Sequence, residues 1–171
     1  MNVKCILMSL FVWASTVQAQ TYYYYKGKKI GIALDSTKCT IFRDTPPLLL
    51  RSAGSDIGKN WNVVEKDSIK ILQARNSSLP SDILVIEPVL FPSETPVSRL
   101  FYVKLKSECD TLFLKTFAEE NGCKVERQVK QMPLWYALST SLHSAGNSIE
   151  MSNRCFEAGR VADCLLYTSD A

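Results

Sequence analysis

The sequence predicts an α+β protein, and two observations carry most of that prediction. Between residues 98 and 163 the apolar pattern switches between period two and a helical period in the order β-α-β-β-α-β. Between residues 21 and 92, short runs rich in aromatic and β-branched residues are separated by turn formers. The division that follows is a small β-rich N-terminal region at 20–97 and a two-layer module at 98–163.

Residues 1–19 stand apart from both. Lys4 supplies a positive charge, CILMSLFVWA is apolar, and STVQA ends in a small residue before Gln20. That is the pattern of a secretory signal peptide cleaved after Ala19, and it falls short of the roughly 20 residues of a membrane span. A buried N-terminal helix is the other reading of the stretch. No other segment is long and apolar enough to cross a bilayer, so the expected mature protein is secreted and leaves the membrane once the signal is removed.

In the β-rich region, TYYYYKGKKIGIAL reads as a hairpin: an aromatic strand, a Lys-Gly-Lys turn and an aliphatic strand. CTIFR, SIKILQ and DILVIE are further strand candidates, with Pro46, Pro47, SAGSDIG and RNSSLPS as turns or loops between them. The four tyrosines could form a carbohydrate-stacking platform. Strand alternation puts only every second one on a given face, however, so half can be core. Asn76-Ser77-Ser78 matches a glycosylation sequon. FPSETPVSR reads as a linker in which Pro92 and Pro96 prevent regular pairing.

The module pattern is sharper. RLFYVKLK alternates, with Phe101, Val103 and Leu105 on one face and Tyr102 and Lys104 on the other. Asp110 is a candidate N-cap for TLFLKTFAEEN, in which Phe113, Leu114, Phe117 and Ala118 form a helical stripe, and Asn121-Gly122 supplies the stop. CKVERQV is the next strand, KQMP the turn, and LWYALST the strand after it. There Leu134, Tyr136 and Leu138 oppose Trp135 and Ala137. SLHSAG leads to a second helix with Ile149, Ser152, Cys155, Phe156 and Gly159 near one face, and RVADC begins a fourth strand. Two helices can cover one side of such a sheet and leave the other bare, which is the ferredoxin-like arrangement. A module this small buries on the order of 60% of its unfolded surface. Tyr102 and Trp135 would then stand on the bare side, where aromatic residues often mark a docking surface.

Composition narrows the chemistry. Without residues 1–19 the chain has 152 residues, and one of the 20 basic residues is lost, leaving 19 against 17 acidic ones and a net charge of +2. The charges are scattered, with no basic stripe for nucleic acid or an anionic membrane. Five cysteines remain: Cys39, Cys109, Cys123, Cys155 and Cys164. A Cys109–Cys123 bridge across the first helix is open, and small buried thiols are the other reading. His143 is the single histidine, and no cysteine or histidine spacing suits a metal, so neither metal nor cofactor is expected. No GxSxG turn, P-loop or GxGxxG occurs. Glu119-Glu120 reads as a solvated helix end. The chain is expected to be non-catalytic.

FYVKLK, AEENGCKV, QMPLWYALSTS and SAGNSIEMSNRCFEAGRVADC together resemble the propeptide of secreted bacterial subtilisin-like serine peptidases. Gly146, Asn147, Glu150, Met151, Asn153, Phe156, Glu157, Gly159 and Ala162 fit that family's run before the peptidase domain. The likeness spans most of 22–163, its specific part being about the last forty residues of that span. It departs at the end, where no Glu-Pro-Asn/Asp follows Ala162. LLYTSDA resembles translated adapter sequence, so 164–171 is expected to be a truncated or non-native tail. The resemblance implies a folding chaperone and inhibitor for a downstream peptidase domain of the same precursor, acting as a monomer. It also implies that the bare face, with Tyr102, Lys104 and Trp135, docks on that domain. Arg160, Val161, Ala162 and Asp163 would lead toward its substrate cleft. A stand-alone secreted binding or protease-inhibitor module is the alternative.

Overall fold

The computed structural model describes residues 21–42, 61–66, 69–74, 87–141 and 143–168. The expected signal peptide, Pro46 and Pro47, SAGSDIG, RNSSLPS apart from its neighbours, and the sequon at Asn76 lie outside the described residues. In chain order the strands are β1 (Tyr22–Tyr25), β2 (Lys28–Gly31), β3 (Ala33–Phe42), β4 (Trp61–Lys66), β5 (Ile69–Ala74), β6 (Glu87–Phe91) and β7 (Val97–Leu105). After a single 3₁₀ turn come α1 (Thr111–Glu120), β8 (Lys124–Gln128), β9 (Trp135–Ser139), α2 (Ser148–Glu157) and β10 (Val161–Thr168). The protein is therefore α+β, with two four-stranded antiparallel sheets, a separate hairpin and two helices among the described residues. None of these helices is long and apolar enough to cross a membrane.

β1 and β2 pair in the expected hairpin, with Tyr25 facing Lys28. Lys26 and Gly27 have φ of 49° and 73°. Two successive left-handed residues are what a tight two-residue hairpin turn needs, so Lys28 belongs to the strand and not to the turn. The N-terminal sheet has the order β4-β5-β3-β6. The described parts of the expected CTIFR and SIKILQ strands, residues 39–42 and 69–73, fall within β3 and β5, and β3 starts six residues before CTIFR, at Ala33. Of DILVIE only the last residue, Glu87, is among the described residues, where it opens β6, which continues to Phe91; residues 82–86 lie outside them.

The linker expected at FPSETPVSR is not one. Phe91 ends β6, β7 already begins at Val97, and the short turn between them is closed by the Leu90 N–H donating to the Thr95 carbonyl at 2.9 Å. Val89 and Pro96 form an isolated antiparallel bridge, and Val89, Pro96, Val97 and Ser98 are all buried. Proline tolerates this edge-like position because only its missing N–H is excluded from pairing. The two regions are joined by packed structure.

The second sheet has the order β10-β7-β9-β8. Phe101, Val103, Leu105, Leu138, Cys164 and Val161 point to one side of it, where Leu114 and Phe117 of α1 and Met151 and Cys155 of α2 close the core. Each large apolar side chain so buried contributes about 1.5–3 kcal/mol. Asp110 occupies the N-cap position of α1 without a side-chain cap bond. Ser107 Oγ instead accepts the Cys109 N–H at 3.3 Å, capping the 3₁₀ turn that leads in. α2 starts with a full capping box: Asn147 Oδ1 accepts the Glu150 N–H, and Glu150 Oε2 accepts the Asn147 N–H, both at 3.0 Å. Ile149, Ser152 and Cys155 of the expected face are buried, joined by Ser148 and Met151, while Phe156 is half-buried and Gly159 is exposed beyond the helix.

Two boundaries move. Residues 164–168, set apart above as a tail, continue β10, with Cys164 fully buried and Leu165, Leu166 and Tyr167 half-buried. The N-terminal hairpin, assigned to the β-rich region, packs instead on the module. Tyr24 stacks on Phe156 of α2 with ring centres 4.2 Å apart, and the Asn153 amide donates to the Tyr22 carbonyl at 2.7 Å.

Candidate docking face of the second sheet

β7 and β9 are the inner strands of the second sheet, and their register fixes what stands on the side away from the helices. Tyr102 is paired with Ala137 on β9 and with Leu165 on β10; Lys104 is paired with Trp135, and Leu100 with Ser139. Paired residues share a face, so Leu100, Tyr102, Lys104, Trp135, Ala137, Ser139 and Leu165 form one surface. The structure thus brings Tyr102, Lys104 and Trp135 together on the side the alternation assigned to them.

The centre of this face is apolar. Ala137 is fully buried beneath its larger neighbours, and Tyr102, Trp135 and Leu165 are half-buried. Tyr167 meets Tyr102 edge-on, with centroids 6.3 Å apart, an arrangement favoured by the ring quadrupoles. One flank is polar and mostly basic. Lys104, Lys124 and Arg127 are exposed, and Ser139 Oγ donates to Glu126 Oε1 at 2.7 Å. That bond, with the Lys124 ammonium 3.0 Å away, holds the Glu126 carboxyl below its ordinary range. Among the described residues, Tyr102, Lys104 and Trp135 make no side-chain hydrogen bond, ion pair or ring contact with residues 21–91.

The four residues expected to lead toward a cleft stand at the start of β10. Arg160 is exposed, with its guanidinium 3.6 Å from Asp110, and its carbonyl accepts the Lys106 N–H at 3.3 Å. Val161 is in the core, 2% exposed, and opens β10 opposite Leu105. Ala162 is exposed at an irregularity in the pairing, and Asp163 Oδ1 accepts the Lys26 N–H at 2.9 Å and the Cys164 N–H at 3.0 Å. Val161, Ala162 and Asp163 thus begin β10, with Arg160 just before it and the N-terminal hairpin bonded to Asp163. The start of a strand at RVADC was legible, but its continuation through Thr168 and its pairing partner some sixty residues earlier were not.

His143 is exposed in the connection between β9 and α2, its N–H donated to Ser141 Oγ at 3.1 Å. The five described cysteines are free: Cys109 is exposed, Cys123 is half-buried beside Ser144 Oγ at 3.7 Å, and the other three are buried. The Cys109–Cys123 bridge is not formed. No group of three or more metal-ligating side chains occurs among the described residues.

A polar cluster went unmarked in the sequence. Glu87, Thr140 and Ser148 are all buried, and the Thr140 and Ser148 hydroxyls both donate to the Glu87 carboxylate. Its signal was an acidic residue inside the apolar run ILVIEPVLF. Compared with protein-family models, with characterised proteins and with solved structures, the chain matches none.

Proposed function

We propose that the chain is the non-catalytic propeptide region of a secreted subtilisin-like serine peptidase precursor, acting as folding chaperone and inhibitor of a peptidase domain of the same precursor. The observation that carries this reading is the one-sided sheet: both helices close one face, and the other presents Tyr102, Trp135, Leu165 and Lys104. The strand order β10-β7-β9-β8, with α1 between the first and second strands of the module and α2 between the third and fourth, supports a ferredoxin-like topology. The resemblance of AEENGCKV, QMPLWYALSTS and SAGNSIEMSNRCFEAGRVADC to that propeptide family supports the rest.

A sheet face of this kind suits a template. It is pre-formed, so little ordering entropy is lost when a partner packs on it, and its apolar centre gains from leaving water. A catalytic domain dominated by non-local contacts folds slowly and gains most from a surface that organises part of it early.

The test is functional. The mature chain, added to a denatured subtilisin-type catalytic domain, is expected to raise the recovery of active protease and, in excess, to inhibit it; no effect on either removes the reading. Trp135→Ala is expected to weaken inhibition by roughly tenfold or more, as loss of a buried aromatic anchor does. An equal loss in the chain's own stability would make Trp135 a support of the sheet and not a contact.

A further inference from the structure

Where the two four-stranded sheets meet lies a carboxylate that takes no part in the docking face. Glu87 opens β6 in the N-terminal sheet and is 1% exposed. Its Oε1 accepts from Thr140 Oγ1 at 2.6 Å and from the Ser148 N–H at 3.1 Å. Its Oε2 accepts from the same N–H at 3.0 Å and from Ser148 Oγ at 2.6 Å. Thr140 follows β9, and Ser148 is the first residue of α2. One side chain from the N-terminal sheet therefore satisfies donors from two segments of the module, one of them at the positive end of a helix.

The surroundings can serve either protonation state. For the anion, every contact is a donor. For the neutral acid, Thr140 Oγ1 also lies 3.4 Å from the Arg99 carbonyl, so its hydroxyl can turn its proton there and accept one from Glu87. Thr40 is paired with Glu87 across β3 and β6, and its buried hydroxyl has no hydrogen-bond partner among the described residues. It offers a second acceptor on the same face.

We propose that Glu87 is a proton-controlled latch between the N-terminal sheet and the start of α2, closed when its carboxyl is neutral and loosened when the buried charge draws in water. The latch stands on this geometry and does not rest on the propeptide reading. Burial pushes the Glu87 carboxyl up to about 7, outweighing the hydrogen bonds from Ser148 and Thr140. Among the described residues, the titratable and charged groups around it are few. Glu150 of α2 adds like charge, and Cys123 before β8 has a thiol raised chiefly by burial and also by Glu87. Cys39 neighbours Thr40 on β3, Arg99 lies on β7, and His143 is exposed in the connection to α2. The folded value lies above the ordinary 4.5, so the folded state holds the proton more tightly. The stability tied to that proton is full below the ordinary value and is lost as pH rises to about 7.

The experiment is urea unfolding of the full chain across a pH series, beside Glu87→Gln. The unsubstituted chain is expected to lose roughly a hundredfold in its folding equilibrium constant between about pH 5 and about pH 8, while the Gln variant stays nearly flat. Parallel slopes for the two would overturn the latch. Should the variant not fold, the ¹³C shift of the Glu87 carboxyl and the exchange protection of the Ser148 amide are followed in the unsubstituted chain. A shared midpoint near 7 supports the latch; a carboxyl titrating below about pH 5, or a Ser148 amide indifferent to it, overturns it.

Discussion

Gly27 and Gly122 share a left-handed backbone, with φ of 73° and 64°, yet their surroundings set them apart. A Cβ at Gly27 meets open space, whereas at Gly122 it would run into the backbone carbonyl of His143. Gly27→Ala is expected to cost about 1 kcal/mol, the price of an L residue in that conformation. Gly122→Ala should cost about 3 kcal/mol or more, since backbone must also shift. Urea midpoints of the two variants check the difference, and equal losses would mean that the His143 connection yields freely. The Asn-Gly stop was readable from the sequence because a helix end is a local event. The close approach of His143 was not, being a contact between two loops. Glu87 was readable only as an anomaly, since its partners stand 53 and 61 residues away.

Elements differ in how much of their stability is local. α2 carries its own start signal, and Asn147→Ala, which removes one half of the capping box, is expected to lower stability by about 1 kcal/mol in thermal or urea unfolding. The hairpin β1–β2 depends on others. Its strand β2 is exposed throughout, and β1 is held by the Tyr24–Phe156 stack and by the Tyr22 and Tyr24 hydroxyls donating to Glu157 Oε1 at 2.8 and 3.0 Å. Phe156→Ala is therefore expected to speed tryptic cleavage at Lys26, Lys28 and Lys29 by several-fold, while far-ultraviolet dichroism keeps the module's signal. Unchanged cleavage would show that the hydroxyl contacts suffice. The aromatic strand and its turn were visible in the residues. That its tyrosines serve the second helix was not, because nothing near residue 24 encodes what residue 156 does.

For the molecule as a whole, the buried thiols give a measure of integrity. Burial pushes the thiols of Cys39 and Cys164 up to about 12 and raises that of Cys155 further. Thiolate is the reactive form, so an alkylating reagent at neutral pH should modify exposed Cys109 first, and Cys39, Cys155 and Cys164 only on unfolding. Early labelling of the three would mean that the core opens on the timescale of the reaction. The module was largely legible: each strand and helix in 98–163 writes its period into five to ten consecutive residues, and the faces of β7 and β9 followed. The N-terminal sheet was less so. β4 gave no signal, and the packed β6–β7 turn passed for a linker because its prolines are judged locally while its burial is not.

The contact between Asn153 and the Tyr22 carbonyl spans 131 residues. During synthesis the tyrosine row must therefore wait, wetted and unpaired with its shelter, until nearly all of the described chain has emerged. Closure of the hairpin onto the helix belongs among the last events of maturation, and any delay in it leaves an aromatic edge open to self-association.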